Sequence, residues 1–244
     1  MKISIITISF NAKATIEKTL QSVANQLYKN IEHIIVDGGS KDNTLEICNS
    51  FPHVSKIISE PDKGVYDAFN KGLKLATGDI IGFLNADDVF FNENSVQEIA
   101  NAFSNTETDI VYGNLDYVNK EGKVIRNWIS GPYEKGLVKK AWMPAHPTFY
   151  CKKEVYDRLG GYNDSFKIAG DFELCLRFLE INQVPSFYLN KKLVKMLVGG
   201  ISNSGISSKL TILKEELRAF KINERSINPI LFLLHKIKKL KQFI

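Results

Sequence analysis

Two carboxylates stand side by side at Asp87-Asp88, at the end of the apolar run Asp79-Ile-Ile-Gly-Phe-Leu84 and just before Val89-Phe-Phe91. Like charges at the end of a buried strand are costly unless something neutralises them. A divalent cation does so. Mg2+ and Mn2+ prefer oxygen ligands and typically take one or two carboxylates plus the phosphates of a substrate. The competing account is a turn or capping cluster ahead of a helix ending near Phe103, since Asn and Asp favour such places. A third acid, Asp37, closes a second apolar run and opens Asp37-Gly-Gly-Ser40. Its glycines permit close backbone approach to a ligand, and its carboxylate suits hydrogen bonds from a nucleobase or ribose. The bland alternative is a turn, with Asp42 starting a helix. Phe10, at the end of a first apolar run, suits stacking under a base or plain core packing.

These residues need elements to hold them. Residues 2–9 are a continuous β-rich apolar run, as for a strand buried on both faces. Residues 14–27 carry Ile16, Leu20, Val23 and Leu27 at helical spacing. Residues 31–36 form a second strand, 44–50 a helix, 54–58 a third strand, 64–76 a helix and 79–84 a fourth strand. Such alternation implies right-handed crossovers and a parallel, doubly wound sheet. Ligands on these sheets bind outside the carboxyl ends of the strands. That rule gathers Ser9-Phe10-Asn11, Asp37-Gly38-Gly39 and Asn85-Ala86-Asp87-Asp88 along one edge. The second half is expected to hold a helix at 94–103, a hairpin of 109–117 with 123–128, a loop over 129–146, a strand at 148–151, helices at 153–159 and 171–181, and two strands at 184–189 and 195–198.

The composition, 44% apolar and 24% charged, suits one large domain or one domain with an appendage. No secretory signal and no apolar span of membrane length is expected. Cys48, Cys151 and Cys175 are far apart and odd in number, which suits reduced thiols in the cytoplasm. No Cys/His spacing resembles a zinc site. The net charge of +5 is uneven: residues 228–244 hold four lysines and no acid, so the rest sums to +1. A body with so little charge and no basic patch is not expected to bind nucleic acid. There is no G-x-G-x-x-G after the first strand, no P-loop and no G-x-S-x-G elbow, which argues against a dinucleotide-dependent dehydrogenase, a P-loop nucleotidase and a serine hydrolase.

The ordered set ITISFNA, IIVDGGSKDNT and SEPDKGVYDAFNKGLKLATGDIIGFLNADD resembles the nucleotide-binding half of family 2 glycosyltransferases over about residues 2–91. EPDKGVYDAFNKG is similar to a subgroup among bacterial surface-polysaccharide enzymes. The resemblance implies a GT-A fold: an α/β, Rossmann-like, mostly parallel central sheet flanked by helices, with an acceptor-binding second half. It implies that Thr7, Phe10 and Asp37 hold the base and ribose. Asn85-Ala86-Asp87 matches the family's D-x-D motif, in which Asp87 binds the Mn2+ or Mg2+ that bridges the diphosphate. This chain departs from the motif at Asn85, which replaces an acid, and Asp88 follows directly as a second candidate ligand. Ala169-Gly-Asp171-Phe-Glu173 is similar to the family's later acidic motif, with Asp171 matching the general base. An acceptor hydroxyl attacking an anomeric carbon must lose its proton. The alternative for Asp171 is an N-cap, with Glu173 as a first-turn acid. Arg177 is spaced as the i,i+4 partner of Glu173.

Weaker features complete the set. Lys63 suits a phosphate or sugar and Asp67 a sugar hydroxyl, against surface charge and capping; Asp62 lies in the same loop. His146, between Pro144 and Pro147, suits a metal, phosphate or acceptor contact, or packing of a loop. From Pro229 on, Ile230, Leu233, Leu234, Ile237, Leu240 and Ile244 form an apolar stripe, with Lys236, Lys238, Lys239 and Lys241 on the rest. A basic amphipathic helix suits a membrane surface, or packs on protein. The expected organisation is a domain over 1–227, made of a nucleotide-sugar half (1–91), an acceptor half (92–205) and a helix (206–227), followed by the amphipathic helix 228–244. The expected activity is metal-dependent, inverting transfer from a nucleotide-sugar, a UDP-sugar first, to a saccharide or lipid-linked saccharide in cell-surface polysaccharide synthesis. The expected place is the cytoplasm, peripheral on the membrane's inner face. The rivals are a sugar-phosphate nucleotidyltransferase, disfavoured by the lack of a Gly-rich, Arg-containing loop after the first strand, and a non-catalytic nucleotide-sugar binder, favoured only by Asn85.

Overall fold

The computed structural model describes residues 1–199 and 206–240. The first 84 residues alternate as the sequence indicates: β1 (Ile3–Ser9), α1 (Ile16–Ala24), β2 (Ile31–Asp37), α2 (Thr44–Asn49), β3 (Val54–Ser59), α3 (Val65–Leu75) and β4 (Ile80–Phe83). β1 lies between β2 and β4 and runs parallel to both, with Ser9 opposite Asp37 and Ile3 opposite Ile80; β3 runs parallel beyond β2. β1, β2 and β4 are almost wholly buried, because helices cover both faces of the sheet. α1 buries Ile16, Leu20 and Val23 but stops at Ala24. Leu27, expected on its stripe, lies past the helix: its N–H goes to the Glu93 carbonyl (2.9 Å) and its side chain is half exposed.

After β4 the sheet becomes mixed: β6 and β9 pair parallel, and the other new pairings are antiparallel. β5 (Val89–Phe90), α4 (Ser95–Asn105), β6 (Ile110–Val118), β7 (Val124–Trp128), β8 (Tyr150–Lys152), α5 (Lys153–Leu159), α6 (Gly170–Cys175) and β9 (Ser186–Leu197) follow. The strand order is β3-β2-β1-β4-β8-β6-β9-β5, and β7 pairs with β6 outside that path. β8 is antiparallel to β4 and to β6, and so inserts between the nucleotide half and the rest. β6 and β7 form the expected hairpin.

One expectation fails. The polar Asn190-Lys-Lys192 does not separate two strands; β9 is a single strand across it. Tyr112 and Asn114 of β6 pair with Tyr188 and Lys192, so two steps on β6 are matched by four on β9. The surplus is a bulge. Its Asn190 carboxamide oxygen accepts from Asn114 Nδ2 (3.1 Å) and from the Tyr188 hydroxyl (2.9 Å), which is why polar residues sit inside the strand.

α6 passes into a π-helical turn over Leu176–Ile181. Two more helices close the fold, α7 (Ile206–Ile222) and α8 (Pro229–Leu240). α8 packs on the body through Phe232, a residue outside the expected stripe. Phe232 is fully buried in a ring cluster with Phe172 of α6 (6.0 Å) and Phe220 of α7 (5.7 Å). Lys236 pairs with Glu216 of α7. The stripe residues Ile230, Leu233, Leu234 and Ile237 stay exposed. Of the residues expected to extend that pattern, Lys241 and Ile244 lie outside the described residues, and the side chains of Lys239 and Leu240 are not described. No helix among the described residues is long and apolar enough to cross a membrane.

Candidate active site

The carboxyl ends of β1, β2 and β3 meet around one acid. Asp37 is fully buried, and its Oδ1 accepts from the Ser9 (3.0 Å) and Ser40 hydroxyls. Its Oδ2 accepts from Gly39 N (3.1 Å), Ser40 N (2.8 Å) and the Ser59 hydroxyl (2.7 Å). Burial alone would raise its pKa, but these hydrogen bonds outweigh it and hold the carboxyl below its usual value. Five donors saturate the carboxylate, so Asp37 shapes the loop from beneath. The aromatic above it is open: Phe10 is 65% exposed and lies against Gly38. A Cβ at Gly38 would come within 2.8 Å of Asp62 Oδ2 and 3.3 Å of Phe10 Cδ2, so only glycine lets these three segments converge.

Thr7 is a correction. It lies inside β1, fully buried, with its hydroxyl on His33 Nε2 (3.0 Å), and so contacts no ligand at the edge. His33 is itself paired with His53 (3.1 Å), and burial with that neighbour pushes its pKa down to about 3. Ala86 likewise turns its methyl into the core beside Ile16 and Leu20, leaving only its backbone at the edge. In the first turn of α3, Asp67 accepts from Lys63 N of the preceding loop (3.0 Å) and faces Lys71 (3.4 Å), which also binds Asp62 (2.7 Å) and Glu60 (3.1 Å). Asp67 is therefore a tie of that loop, while the Lys63 side chain is exposed at its tip.

The acid turn after β4 behaves differently. Asp88 N closes it onto the Asn85 carbonyl (3.0 Å), and the Thr19 hydroxyl of α1 donates to the Asp88 carbonyl (2.8 Å). Asp88 is fully buried, with a long contact from Asn85 Nδ2 to its Oδ2 (3.4 Å). Among the described residues, Asn85 Oδ1 and Asp88 Oδ1 are buried acceptors with no hydrogen-bond partner. Burial raises the pKa of Asp87; burial and then the Asp87 charge raise that of Asp88 well above normal. Buried oxygens without donors, beside two acids short of positive charge, fit a hard divalent cation. Among the described residues no group of three or more His, Cys, Asp or Glu forms a closed metal cage. The set therefore suits a cation that arrives with phosphate oxygens of its own.

Across from this turn stands Asp171, in the first turn of α6, whose N-cap is Ala169 rather than the acid. Its Oδ1 accepts from Phe172 N (2.9 Å) and lies 3.4 Å from the Tyr66 hydroxyl; its Oδ2 faces His146 Nδ1 at 3.5 Å. Among the described residues that His146 nitrogen has no hydrogen-bond partner, and the ring meets Trp128 edge-on at 6.1 Å. Tyr66, from the same stretch as Asp67, donates to the Ile168 carbonyl (2.5 Å). A Cβ at Gly170 would come 2.7 Å from the Tyr66 ring, so α6 sits directly on α3. Glu215 of α7 accepts from Lys167 N, Ile168 N and Ala169 N (2.8, 2.9 and 2.9 Å), fixing the entry to α6. Glu173 forms the expected pair with Arg177 (3.0 Å), which also donates to the carbonyls of residues 159–161.

The residues that sequence reasoning passed over are Tyr66, Tyr117, Arg126, Trp128 and Glu215. Arg126 and Trp128 sit two apart in an expected strand and so on one face, the single signal available; nothing local marks Tyr66 or Glu215. Tyr117 is within electrostatic reach of both acidic centres. Burial raises its pKa, Arg126 lowers it, and the charges of both Asp88 and Asp171 raise it further.

Comparison with known proteins identifies the family and the fold. The profile described as glycosyl transferase family 2 matches residues 4–167. A PGL/p-HBAD biosynthesis glycosyltransferase of Mycobacterium bovis is 28% identical over 207 residues, covering 82% of this chain and 79% of its own. An uncharacterized glycosyltransferase of Mycobacterium tuberculosis is 35% identical over 179 residues, covering 72% of this chain and 68% of its own. Among solved structures, S. aureus TarS residues 1–349 superpose with a TM-score of 0.72 at 18% identity, covering 98% of this chain and 72% of that one. The mannosyltransferase PcManGT from Pyrobaculum calidifontis, in complex with GDP-Man and Mn2+, gives 0.68 at 17% identity, covering 96% of this chain and 68% of that one. The sheet is that of the GT-A fold, and this chain belongs to glycosyl transferase family 2 as a glycosyltransferase.

Proposed function

We propose that the chain transfers a sugar, with inversion, from a nucleotide-sugar to a saccharide or lipid-linked saccharide acceptor. The observation that carries the reading is the pairing of two unlike acidic centres, both within electrostatic reach of Tyr117. One, Asn85-Asp87-Asp88, has buried oxygens lacking donors among the described residues. The other, Asp171, is fixed by Phe172 N at a helix start and faces Tyr66 and His146. Phe10 stacks on the base over the loop that Asp37 holds, and Lys63 reaches the phosphates. Asp87 and Asp88, with Asn85 Oδ1, are the residues that would hold Mn2+ or Mg2+. That cation would supply Lewis-acid neutralisation of the departing nucleotide. Asp171 accepts the proton of the attacking hydroxyl, and direct displacement at the anomeric carbon inverts it. His146 faces the same carboxylate and orients it. The structure of TarS in complex with UDP-GlcNAc makes a UDP-sugar the first donor to test, and the GDP-Man complex of PcManGT the second.

The exposed apolar face of α8, with Lys238 beside it, docks on an anionic membrane surface from the cytoplasmic side, which suits synthesis of a cell-surface polysaccharide or glycolipid. The mycobacterial relative, named for PGL/p-HBAD biosynthesis, supports an acceptor of that kind. The deciding experiment is hydrolysis of a panel of nucleotide-sugars with Mn2+ and no acceptor. Turnover of one donor, lost in Asp87→Ala and Asp171→Asn, supports the reading. No binding of any donor, with Asp87→Ala behaving as wild type, sinks it.

A further inference from the structure

The β6–β7 hairpin holds three large side chains beside the reaction centre that the donor reading leaves unused. In the antiparallel register Arg126 lies directly opposite Tyr117, and Trp128 is two residues along the same strand, so all three share one face. The Arg126 guanidinium carbon lies 4.9 Å from the Tyr117 ring centre and 5.7 Å from that of Trp128, and the two rings are parallel within 3°. Such stacking holds a planar guanidinium in one orientation, suited to bidentate recognition of a phosphate or carboxylate.

Two observations aim this face at the chemistry. Trp128 touches the His146 ring that faces Asp171. The Tyr117 hydroxyl is close enough to feel Asp88 and Asp171 together. The strand order then says which substrate it meets. Phe10 and Asp37 close β1 and β2, the acid turn follows β4, and β6 lies beyond β8. The hairpin face is thus across the acid turn from the nucleotide loop, on the side from which an attacking hydroxyl must come. The same hairpin and the residue after it also expose apolar side chains: Val124, Ile125 and Ile129 are 44%, 53% and 59% exposed.

We propose that Arg126, with Tyr117 and Trp128, forms an acceptor subsite for a saccharide that carries an anionic group next to its reacting sugar. The proposal rests on the donor-and-base reading above. The two rings receive the C–H face of the sugar and the guanidinium receives the anion. The anion is either a phosphate joining the sugar to an apolar chain or a carboxylate of the sugar itself.

Calorimetry tests this on the full chain saturated with UDP or GDP and Mn2+, titrated with glucose 1-phosphate, glucuronic acid and glucose. One of the two anionic sugars is expected to bind at least tenfold more tightly than glucose, and which one does so identifies the source of the anion. Arg126→Ala is expected to abolish that preference. Arg126→Lys, which keeps the charge but not the planar fork, is expected to keep only part of it, and this variant decides the matter if the alanine variant does not fold. Equal affinity for all three sugars, no binding of any, or a preference that survives both substitutions overturns the proposal. Failure of UDP and GDP to bind overturns the donor reading instead, and titration of glucose 1-phosphate into the chain alone still decides the subsite.

Discussion

His146 Nδ1 lies 3.5 Å from the Asp171 Oδ2, although 25 residues and the whole of β8 and α5 separate them in the chain. The other oxygen of Asp171 is fixed by Phe172 N, so His146 faces the one oxygen left for a proton. Asp171→Asn is expected to lower donor turnover by about 10²–10⁴-fold with folding intact. His146→Ala is expected to cost on the order of tenfold, because it loosens the carboxylate without removing it. Wild-type turnover in Asp171→Asn would end the assignment of the base.

Asp88 is a buried carboxylate with one oxygen unpartnered beside a second acid, an arrangement that favours function over stability. Asp88→Asn is expected to stabilise the chain by about 1–3 kcal/mol while lowering activity. Thermal unfolding checks both halves. Mn2+ with UDP or GDP should raise the melting temperature of the wild type and not that of the variant.

Glu215 satisfies three successive N–H groups at the entry to α6. Glu215→Ala is expected to cost about 1–3 kcal/mol. It should lower kcat more than it raises the KM of the donor, because the base shifts and the nucleotide loop does not. An equal loss in both parameters would contradict the assignment.

α8 separates its anchor from its exposed face. Phe232→Ala is expected to destabilise by about 3–5 kcal/mol, as for a buried aromatic. Leu234→Ser, at an exposed position, should leave the melting temperature within about 2 °C and reduce flotation with anionic liposomes. Unchanged flotation of Leu234→Ser combined with Ile230→Ser would remove the membrane role.

Glu32 is buried and accepts from Ser4, Thr77 and Lys2; these bonds outweigh burial and bring its pKa from 4.5 down to about 2. Because the folded value is the lower one, the stabilisation is present above about pH 4.5 and is lost as pH falls through 2. At neutral pH the shift corresponds to about 3 kcal/mol. Denaturant unfolding of Glu32→Gln against wild type should show a gap near neutrality that closes on acidification; a gap constant from pH 7 to 2.5 would refute the linkage.

The nucleotide half was legible because its signals are local. Continuous apolar runs, helical spacing and Gly/Asp stops follow from burial on both faces and from loop chemistry, and they placed β1 to β4 and the acid turn to within a residue or two. β9 was misread because polar Asn190 and Lys191 look like a turn, whereas their partners on β6 make them a bulge. Thr7 was misassigned because a strand position says nothing of which way a short side chain points once both faces are covered.

What the sequence determined by itself is the parallel alternation, the strand-end acids and the amphipathic tail, since each depends on neighbours within a few residues. Only the tertiary structure decided that Asp37 is saturated by its own loop together with Ser9 of β1 and Ser59 of β3, that His146 faces Asp171, that Phe232 rather than the Leu/Ile stripe anchors α8, and that Arg126 stacks beside Tyr117. These are contacts between segments far apart in the chain, fixed by antiparallel β8 entering between β4 and β6 and by α7 and α8 packing behind α6, and no local periodicity encodes them.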